Sequence, residues 1–396
     1  MLLDGMRIVS FCHYLQGPAA MQYLAAMGAD VIKIEPLKGG YERYWAGAGG
    51  AQVGGVSAFF LCANRNARSI ALDLKKPEAR DIVFRLIEKS HVVAENFRPG
   101  TLDRLGFGYE AVRARKPDII YASASGYGPS GPYVNRPGQD LLIQAMSGLA
   151  AATGNGESGP LPVGCAAADQ HGAALLALGI AGAYARWLRT GEGTRVEATL
   201  LGAGIDLQME SLVTYYASGM DRNVFQHGPR LGTWFHDAPY GIYPVADGHV
   251  ALSLNNIDKL ATALDCPELL GFVGHDMYAE RETIAGLIAR TVRHRTFADI
   301  AAALDSLGLW YARVDDYDDL LENAQVQHNE TFREFSVNGE TIKLLNHPLR
   351  YDGRIPDACT FALQVGADTR AVLKEAGFGD AEICDLLDAK VAFAPD

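Results

Sequence analysis

Asp169 stands where a carboxylate could act as a nucleophile. It follows the small residues of 164–168 and precedes a long apolar stretch that predicts a helix over about 170–189. Most aspartates at such a position cap the helix. The small neighbours would also leave room for a ligand, and the helix dipole would hold the carboxylate ionised. On the residues alone, capping and nucleophilic catalysis both stay open.

Two other features could bind a ligand. Residues 96–100 (NFRPG) follow a strand-like run, which is where open α/β sheets bind their ligands, although Pro-Gly alone also makes a turn. Basic residues are frequent in the first third of the chain, where they could hold phosphates or be scattered solvated charges. They are Arg65, Arg68, Lys75, Lys76, Arg98 and Arg104.

Several other motifs argue against familiar chemistries. Residues 154–159 (GNGESG) fit G-x-G-x-x-G, but Pro160 and Pro162 follow where a dinucleotide site needs a helix, so we predict a turn. The sequence has no P-loop, no GxSxG and no HExxH, and we predict no metal site. Cysteines without CxxC spacing indicate reduced, buried thiols of a cytosolic protein. They are Cys12, Cys62, Cys165, Cys266, Cys359 and Cys384.

The elements that must position these residues alternate along the first 200 residues. We predict strands over 7–11, 31–35, 91–95, 119–122 and 194–198. We predict helices from Pro18, as the first helical residue, to about Met27, and over 77–90, 110–115, 170–189 and 201–217. Repeated β-α-β units with short connections imply a parallel sheet with helices on both faces.

A chain of 396 residues suggests two domains. After Asp221 the sequence becomes richer in loops and aromatics, with its own strand-like run at 249–254. The last 70 or so residues return to short strands and a helix near 369–376. We therefore divide the chain into 1–222, a smaller domain at 223–325, and 326–396.

Composition excludes some partners. A net charge of −12 argues against broad binding to nucleic acid or anionic membranes. The longest apolar run, 173–185, is too short to span a bilayer, and the N-terminus lacks the basic head of a signal peptide. We expect a soluble, cytoplasmic protein.

An ordered series of motifs resembles the class III CoA-transferase family over nearly the whole chain. No single motif is decisive, but their order is highly specific. They are 3–9 (LDGMRIV), Gly17-Pro18, 24–36 (LAAMGADVIKIEP), 64–75 (NRNARSIALDLK), 95–100 (ENFRPG), 126–132 (GYGPSGP), Ala168-Asp169 and 190–193 (TGEG).

The resemblance implies a Rossmann-like α/β large domain built from both chain ends, a smaller inserted α+β domain, and a homodimer of interlocked rings. It implies that Asp169 is the catalytic aspartate, which would exchange CoA between an acyl-CoA and a carboxylic acid through covalent intermediates. Proximity and oxyanion stabilisation would have to supply most of the acceleration, because a carboxylate is a weak nucleophile. No metal or redox cofactor is implied, since coenzyme A enters as the thioester substrate.

The resemblance also carries binding residues onto this chain. Lys75, Arg98, Arg104 and Arg136 are the phosphate candidates, and Gln139 is the candidate for the acceptor acid. The CoA-binding set is His13, Tyr14, Leu15, Gln16, Leu72, Asp73, Leu74, Lys75, Asn96, Phe97, Arg98, Arg104 and Arg136. Trp234, Tyr240, Asn255 and Asn256 could line the acceptor side.

Departures from the formyl-CoA pattern shape the substrate expectation. Leu15 stands where a glutamine is expected, and Pro36 where an arginine is expected. The segment 136–140 (RPGQD) is in turn similar to that of family members that work on C4 and C5 diacids, so the resemblance implies a small dicarboxylate acceptor and a succinyl-CoA-like donor. Alternatives are an isomerase or racemase, an intramolecular CoA transferase, and a non-catalytic CoA-binding protein. Racemisation is disfavoured because Gln139, at the place of the racemase histidine, cannot titrate.

Overall fold

A computed structural model describes residues 1–357 and 360–395. Its strands are β1 Arg7–Ser10, β2 Asp30–Glu35, β3 Gln52–Val53, β4 Val56–Ser57, β5 Ala67–Leu72, β6 Val92–Glu95, β7 Ile120–Ser125, β8 Thr194–Thr199, β9 Gly241–Val245, β10 Gly248–Leu252, β11 Tyr311–Arg313, β12 Phe332–Val337, β13 Glu340–Leu345 and β14 Ala392–Phe393.

The α-helices are α1 Gln16–Ala26, α2 Ala58–Ala63, α3 Pro77–Glu88, α4 Thr101–Leu105, α5 Tyr109–Arg115, α6 Asp140–Met146, α7 Leu149–Thr153, α8 Ala167–Thr190, α9 Leu200–Asp206, α10 Met209–Ser218, α11 Ile257–Leu264, α12 Arg281–Val292, α13 Phe297–Asp305, α14 Tyr317–Glu322, α15 Ala324–His328, α16 Thr369–Glu375 and α17 Asp380–Asp388.

The main sheet has seven strands in the order β14-β5-β2-β1-β6-β7-β8. All neighbouring pairs are parallel except β14 with β5. The predicted α/β fold with a parallel sheet is therefore confirmed, with one antiparallel edge strand. Because β5, β1 and β6 run in the same direction, the loops that follow them lie at one edge of the sheet.

Helices cover both faces of this sheet, as the period of two in its strands requires. One row of paired residues packs with α3 on one face: Ile32, Val9, Val93 and Tyr121. The row one residue earlier packs with α1 and α8 on the other face: Val31, Ile8, Val92 and Ile120.

Two helix predictions differ from the structure. Helix α1 begins at Gln16, so Pro18 is its third residue rather than its first. The predicted helix over 201–217 is interrupted between α9 and α10. At this break Gln208 is buried and its Nε2 donates to the Ser147 carbonyl at 3.1 Å. The break lets this side chain satisfy a buried backbone group.

The chain forms two compact units. The first comprises 1–143, 166–207 and 324–396, and its C-terminal segment adds β14 to the edge of the main sheet. The second comprises 144–165 and 208–323. It contains the antiparallel sheet β11-β10-β9, and α11, α12 and α13 contribute to its core. Its bounds differ from the proposed 223–325: it starts at Gln208 and takes in 144–165, since the Gln208–Ser147 bond lies inside it.

Other expectations concern cysteines, the glycine motif and membranes. Cys12 and Cys266 are buried, but the prediction of burial is wrong for Cys62, Cys165 and Cys384, which lie on open faces of α2, a loop and α17. Those five are free, and Cys359 lies outside the described residues.

Residues 154–159 form the predicted turn, closed by an Asn155–Gly159 bridge. Within 1–357 and 360–395, every helix falls short of the length and apolarity that crossing a membrane demands.

Candidate active site

Asp169 lies in the first turn of α8 but does not cap it. The helix begins at Ala167 with Ala166 as its N-cap, so Asp169 is the third helical residue. The side chain is half-buried. The capping interpretation of Asp169 is therefore wrong, because the small residues before it already adopt the helical backbone.

The carboxylate that caps α8 comes from Asp140, the first residue of α6. Its Oδ1 accepts hydrogen bonds from the backbone N–H groups of Ala168 at 2.8 Å and Asp169 at 3.0 Å. These are N–H groups that no carbonyl within the helix can reach. Sequence reasoning missed this role, although Asp140 directly follows Gln139, because the two segments meet only in the folded chain.

Burial and, to a smaller extent, the charge of the neighbouring Asp140 together raise the pKa of Asp169 to about 7. This contradicts the expectation that the helix end holds Asp169 ionised. The physical reason is that Asp140 accepts from the N–H groups that would have stabilised the Asp169 carboxylate. Near neutral pH, Asp169 is therefore divided between its protonated and ionised forms.

Gln16 brings an amide to the same helix. It is only 4% exposed, and its Nε2 is buried without a hydrogen-bond partner among the described residues. A Cβ added at Gly172 would lie 2.6 Å from that Nε2. Gly172 is three residues beyond Asp169, hence on the same side of α8. An unpartnered donor there could serve an oxyanion.

Two loops at the edge of the sheet are joined through Asn96. Its Oδ1 accepts from the His13 N–H at 2.8 Å, and its Nδ2 donates to the His13 carbonyl at 2.7 Å. The His13 and Phe97 rings pack with centroids 4.5 Å apart. The structure therefore brings His13, Asn96 and Phe97 together, with Tyr14 next to them at a left-handed φ of 61°.

A buried ion pair, Lys33 with Glu42, acts electrostatically on His13. Lys33 Nζ contacts Glu42 Oε1 at 2.6 Å and donates to Asn64 Oδ1 at 2.8 Å. Burial lowers the pKa of His13 to about 4, with Glu42 raising it and Lys33 lowering it. His13 is therefore neutral at pH 7, and it can offer hydrogen bonds but no charge to a phosphate.

The four phosphate candidates are exposed cations. In the described part of the chain, Lys75, Arg98, Arg104 and Arg136 form no ion pair. Arg136 stacks on Tyr133 at 4.3 Å. Such cations are available to an anionic ligand.

The segment after β5 does not join the His13–Asn96 cluster. Leu72 ends the strand, Leu74 packs on the core, and the Lys75 N–H bonds to Asp73 Oδ1 at 3.2 Å. It shares only the sheet edge with His13 and Asn96.

A pair of glycines sets the position of Gln139. A Cβ at Gly138 would lie 2.4 Å from the Gly126 Cα, so the two backbones approach too closely for any side chain. The Tyr127 hydroxyl also donates to the Pro137 carbonyl at 3.3 Å. Gln139 itself is exposed and directly precedes Asp140.

An exposed row of rings, which we call the aromatic ladder, was not found from the sequence. It consists of Tyr14, Tyr41, Trp45 and Phe59, with successive centroids 5.6, 6.4 and 4.7 Å apart. Tyr41 is 54% exposed and Trp45 44%. It continues through His13, whose ring lies 4.8 Å from Tyr14. No short spacing connects Tyr14 with Phe59, so only the fold reveals the ladder.

The four acceptor-side candidates in the second unit all make contacts within it, Tyr240 by packing its ring on that of His236 at 4.4 Å. Trp234 is buried, and its Nε1 donates to Ser211 Oγ at 2.8 Å. Asn255 bonds to the Trp310 backbone, and Asn256 caps α11. Across the described ranges, no group of three or more His, Cys, Asp or Glu side chains could hold a metal ion.

Comparison with known proteins identifies relatives over most of the chain. The model of the family described as CoA-transferase family III matches residues 3–369. Succinyl-CoA:glutarate CoA-transferase of Mus musculus is 30% identical over 387 residues, which cover 94% of this chain and 86% of that protein. Succinyl-CoA–D-citramalate CoA-transferase of Chloroflexus aurantiacus is 33% identical, covering 79% and 78%. The crystal structure of a CAIB/BAIF family protein from Brucella suis matches with a TM-score of 0.80 at 27% identity, covering 94% and 99%.

Proposed function

The chain belongs to CoA-transferase family III and is an enzyme that transfers CoA, and on that premise we propose that Asp169 carries the transfer through covalent intermediates. The setting of Asp169 supports this most directly. It is a half-buried carboxylate whose pKa is raised to about 7 by burial and by Asp140. Perturbed carboxylates of this kind concentrate at functional sites, and a more basic carboxylate is a better nucleophile.

The proposed reaction consists of four exchanges at carbonyl carbons. An Asp169 oxygen attacks the donor thioester, the C–S bond breaks, and a mixed anhydride and CoA thiolate form. The thiolate attacks the Asp169 carbonyl of the anhydride, which releases the donor carboxylate and leaves an aspartyl-CoA thioester. The acceptor carboxylate attacks that thioester and expels the thiolate again. The thiolate then attacks the acceptor carbonyl, which gives the new acyl-CoA and restores Asp169.

These steps require stabilisation of oxyanions but no change of oxidation state. The unpartnered Gln16 Nε2, near Gly172 on the Asp169 side of α8, is a suitable donor. We therefore propose that the enzyme works without a metal or other cofactor. The free cysteines support a cytosolic location as part of the same proposal.

We assign CoA to the loops at the edge of the sheet. His13, Asn96 and Phe97 form one connected cluster there, which supports a common ligand. The exposed cations Lys75, Arg98, Arg104 and Arg136 would take its phosphates.

For the substrates, we propose a succinyl-CoA-like donor and a dicarboxylate acceptor of about four to six carbons. The relatives named for glutarate and D-citramalate support this choice. Gln139 precedes Asp140 directly, so its exposed amide can hydrogen-bond a carboxylate near Asp169. A site that pairs a polar group discriminates strongly against substrates that lack it.

We propose that the protein works as an interlocked homodimer. Helix α10 has no buried residue, and Met209, Val213 and Tyr216 on it are 63, 64 and 77% exposed. In the first unit, a cavity of about 680 Å³ is lined by α1, Gln170 and the β12–β13 segment. A second copy of the chain is the occupant that the family resemblance supports for both surfaces.

Trapping the covalent intermediate tests the role of Asp169. After incubation with succinyl-CoA, we expect mass spectrometry to find a CoA adduct on Asp169 that hydroxylamine converts to a hydroxamate. Asp169→Ala should form no adduct and lose about 10³-fold or more in kcat, with CoA affinity retained. Asp258→Asn, an exposed aspartate in the first turn of α11, is the matched control and should behave as the wild type. Retention of more than a few per cent of activity by Asp169→Ala would refute the covalent role.

A panel of acceptor acids tests the substrate proposal. With succinyl-CoA as donor, we expect C4 to C6 diacids to have the highest kcat/KM. Gln139→Ala should raise the KM of the acceptor far more than that of succinyl-CoA. If oxalate or a long-chain fatty acid is the best acceptor, the assignment is wrong.

A further inference from the structure

We infer that Glu95 is a positioning residue, which holds the Asn96–Phe97 loop in the shape that grips the His13 loop and thereby sets the affinity for acyl-CoA. The inference rests on the proposed function, because it concerns the same CoA site. Glu95 is the last residue of β6, and its Oε2 accepts from the Phe97 N–H at 2.9 Å. This hydrogen bond closes a turn around Asn96, in the way that Asx turns fix a backbone.

The turn at Glu95 places Asn96 and Phe97 where both can contact the His13 loop. With Phe97 held by Glu95, Asn96 projects between them and makes both of its hydrogen bonds to the His13 backbone. Phe97 at the same time packs its ring on that of His13. The Glu95 side chain thus supports three contacts between the two loops, although it does not itself touch His13 in any of them.

Glu95, at the end of β6, lines a cavity of about 140 Å³ that lies against residues of β7 and β8. The charged or titratable groups that line it with Glu95 come from five elements: Arg98 from the loop, Asp103 from α4, Tyr109 from α5, Tyr121 from β7, and Arg195 and Glu197 from β8. Arg195 is paired with Glu197 at 2.7 Å, so its charge is partly neutralised.

Because of these surroundings, Glu95 gains or loses its proton near neutral pH. The pKa of Glu95 is raised to about 7, with burial as the largest cause; the hydrogen bond from Phe97 lowers it, Asp103 raises it and Arg195 lowers it. An ionised acceptor makes a stronger hydrogen bond than a neutral one. The hydrogen bond that closes the turn should therefore be stronger above pH 7 than below it. It is not lost at low pH, because a protonated carboxyl group still has an oxygen that can accept.

The experiment measures the KM of succinyl-CoA and the Kd of free CoA by calorimetry between pH 6 and 8.5. For the wild type, we expect both constants to rise about fivefold as the pH falls through 7, the difference between a charged and a neutral hydrogen bond. Glu95→Gln keeps an acceptor oxygen without charge, so its constants should stay at the low-pH level throughout. Glu95→Ala should raise both constants further at every pH, with kcat within about threefold of the wild type.

Two more variants separate this role from a purely structural one. Asp103→Asn removes the carboxylate that raises the pKa of Glu95, so the midpoint of the KM profile should move to lower pH. Glu110→Gln, an exposed acid on α5, should leave the profile unchanged. A structural role alone would change the melting temperature of Glu95→Gln but not its pH profile.

Three results would contradict the role of Glu95, the proposed mechanism, or both. If Glu95→Gln shows the wild-type KM and Kd at each pH, or follows the wild-type pH dependence, the inference is wrong. If the wild type binds CoA but forms no Asp169 adduct, the proposed mechanism fails while the CoA measurements still test Glu95. If the wild type binds no CoA, both fail.

Discussion

Two carboxyl groups meet at the start of α8 with different tasks. Asp140 accepts hydrogen bonds from the N–H groups of Ala168 and Asp169, which are the groups a capping side chain normally takes. Asp169 is left beside a negative neighbour in a half-buried site, and its pKa rises to about 7. One aspartate thus builds the helix terminus, and the other becomes more basic and hence more nucleophilic.

The first prediction concerns the pH dependence of transfer. In the proposed mechanism the nucleophile is the ionised form of Asp169, so kcat/KM should rise with pH and level off above about 7. Asp140→Asn can still accept from the N–H groups but carries no charge, so the midpoint should move to lower pH. Measuring both profiles in a Glu95→Gln background removes the contribution of Glu95. An unchanged midpoint in Asp140→Asn would contradict the electrostatic link between the two carboxyl groups.

Stability should respond to Asp169 in the opposite sense to activity. The pKa of Asp169 is raised on folding, so the native state binds the proton more tightly and the stability it confers is lost as pH rises from about 4 through 7. Removing the titrating group in Asp169→Asn should therefore raise Tm relative to the wild type at pH 8. The two proteins should converge near pH 4. A lower Tm for Asp169→Asn at pH 8 would show that the carboxylate has stabilising partners.

At the scale of elements, the position of Asp140 depends on a close approach of two backbone segments. Gly138 lies against Gly126, and Asp140 follows two residues later as the first residue of α6. In Gly138→Ala the new Cβ would meet backbone, which cannot move aside as a side chain can. We expect a loss of about 1–3 kcal/mol in the free energy of unfolding and a larger loss of activity, because Asp140 is displaced with the segment.

Urea unfolding and kcat/KM measure these two effects. Gly164→Ala is the matched control, because a Cβ there meets nothing within 4 Å. It should keep both stability and activity. Wild-type activity in Gly138→Ala would show that the glycine contact does not position Asp140.

The elements were predictable to different degrees. The main-sheet strands β1, β2, β6, β7 and β8 were predicted within a few residues, because most of them are apolar and buried on both faces, whereas β5 at 67–72 was missed. The start of α8 was predicted three residues too late, since the side chain that caps it belongs to Asp140, which lies 29 residues before Asp169 in the chain. Contacts of this kind leave no local signal. The aromatic ladder and the Glu95–Phe97 turn were missed for the same reason.

At the scale of the whole molecule, the family motifs predicted more than the local patterns did. The change in sequence composition placed a domain boundary near 222, whereas the second unit starts at Gln208 and also includes residues 144–165. Packing between distant segments sets that boundary, and the buried Gln208–Ser147 bond is an example. The site likewise gathers loops that lie far apart in the chain, such as His13 and Asn96.

The last prediction concerns assembly. Met209, Val213 and Tyr216 follow a helical spacing on α10, and a stripe of exposed apolar side chains on a helix needs a partner surface. We expect a homodimer at submicromolar concentration by sedimentation velocity, with no folded, active monomer. Val213→Asp should lower the Tm of the dimer, because it would place a charge in the apolar stripe and interlocked chains can come apart only by unfolding. Tyr317→Asp, at an 82% exposed aromatic on α14, is the matched control and should remain dimeric. A folded monomer with full activity would defeat the interlocked arrangement, because rings that enclose each other cannot separate without unfolding.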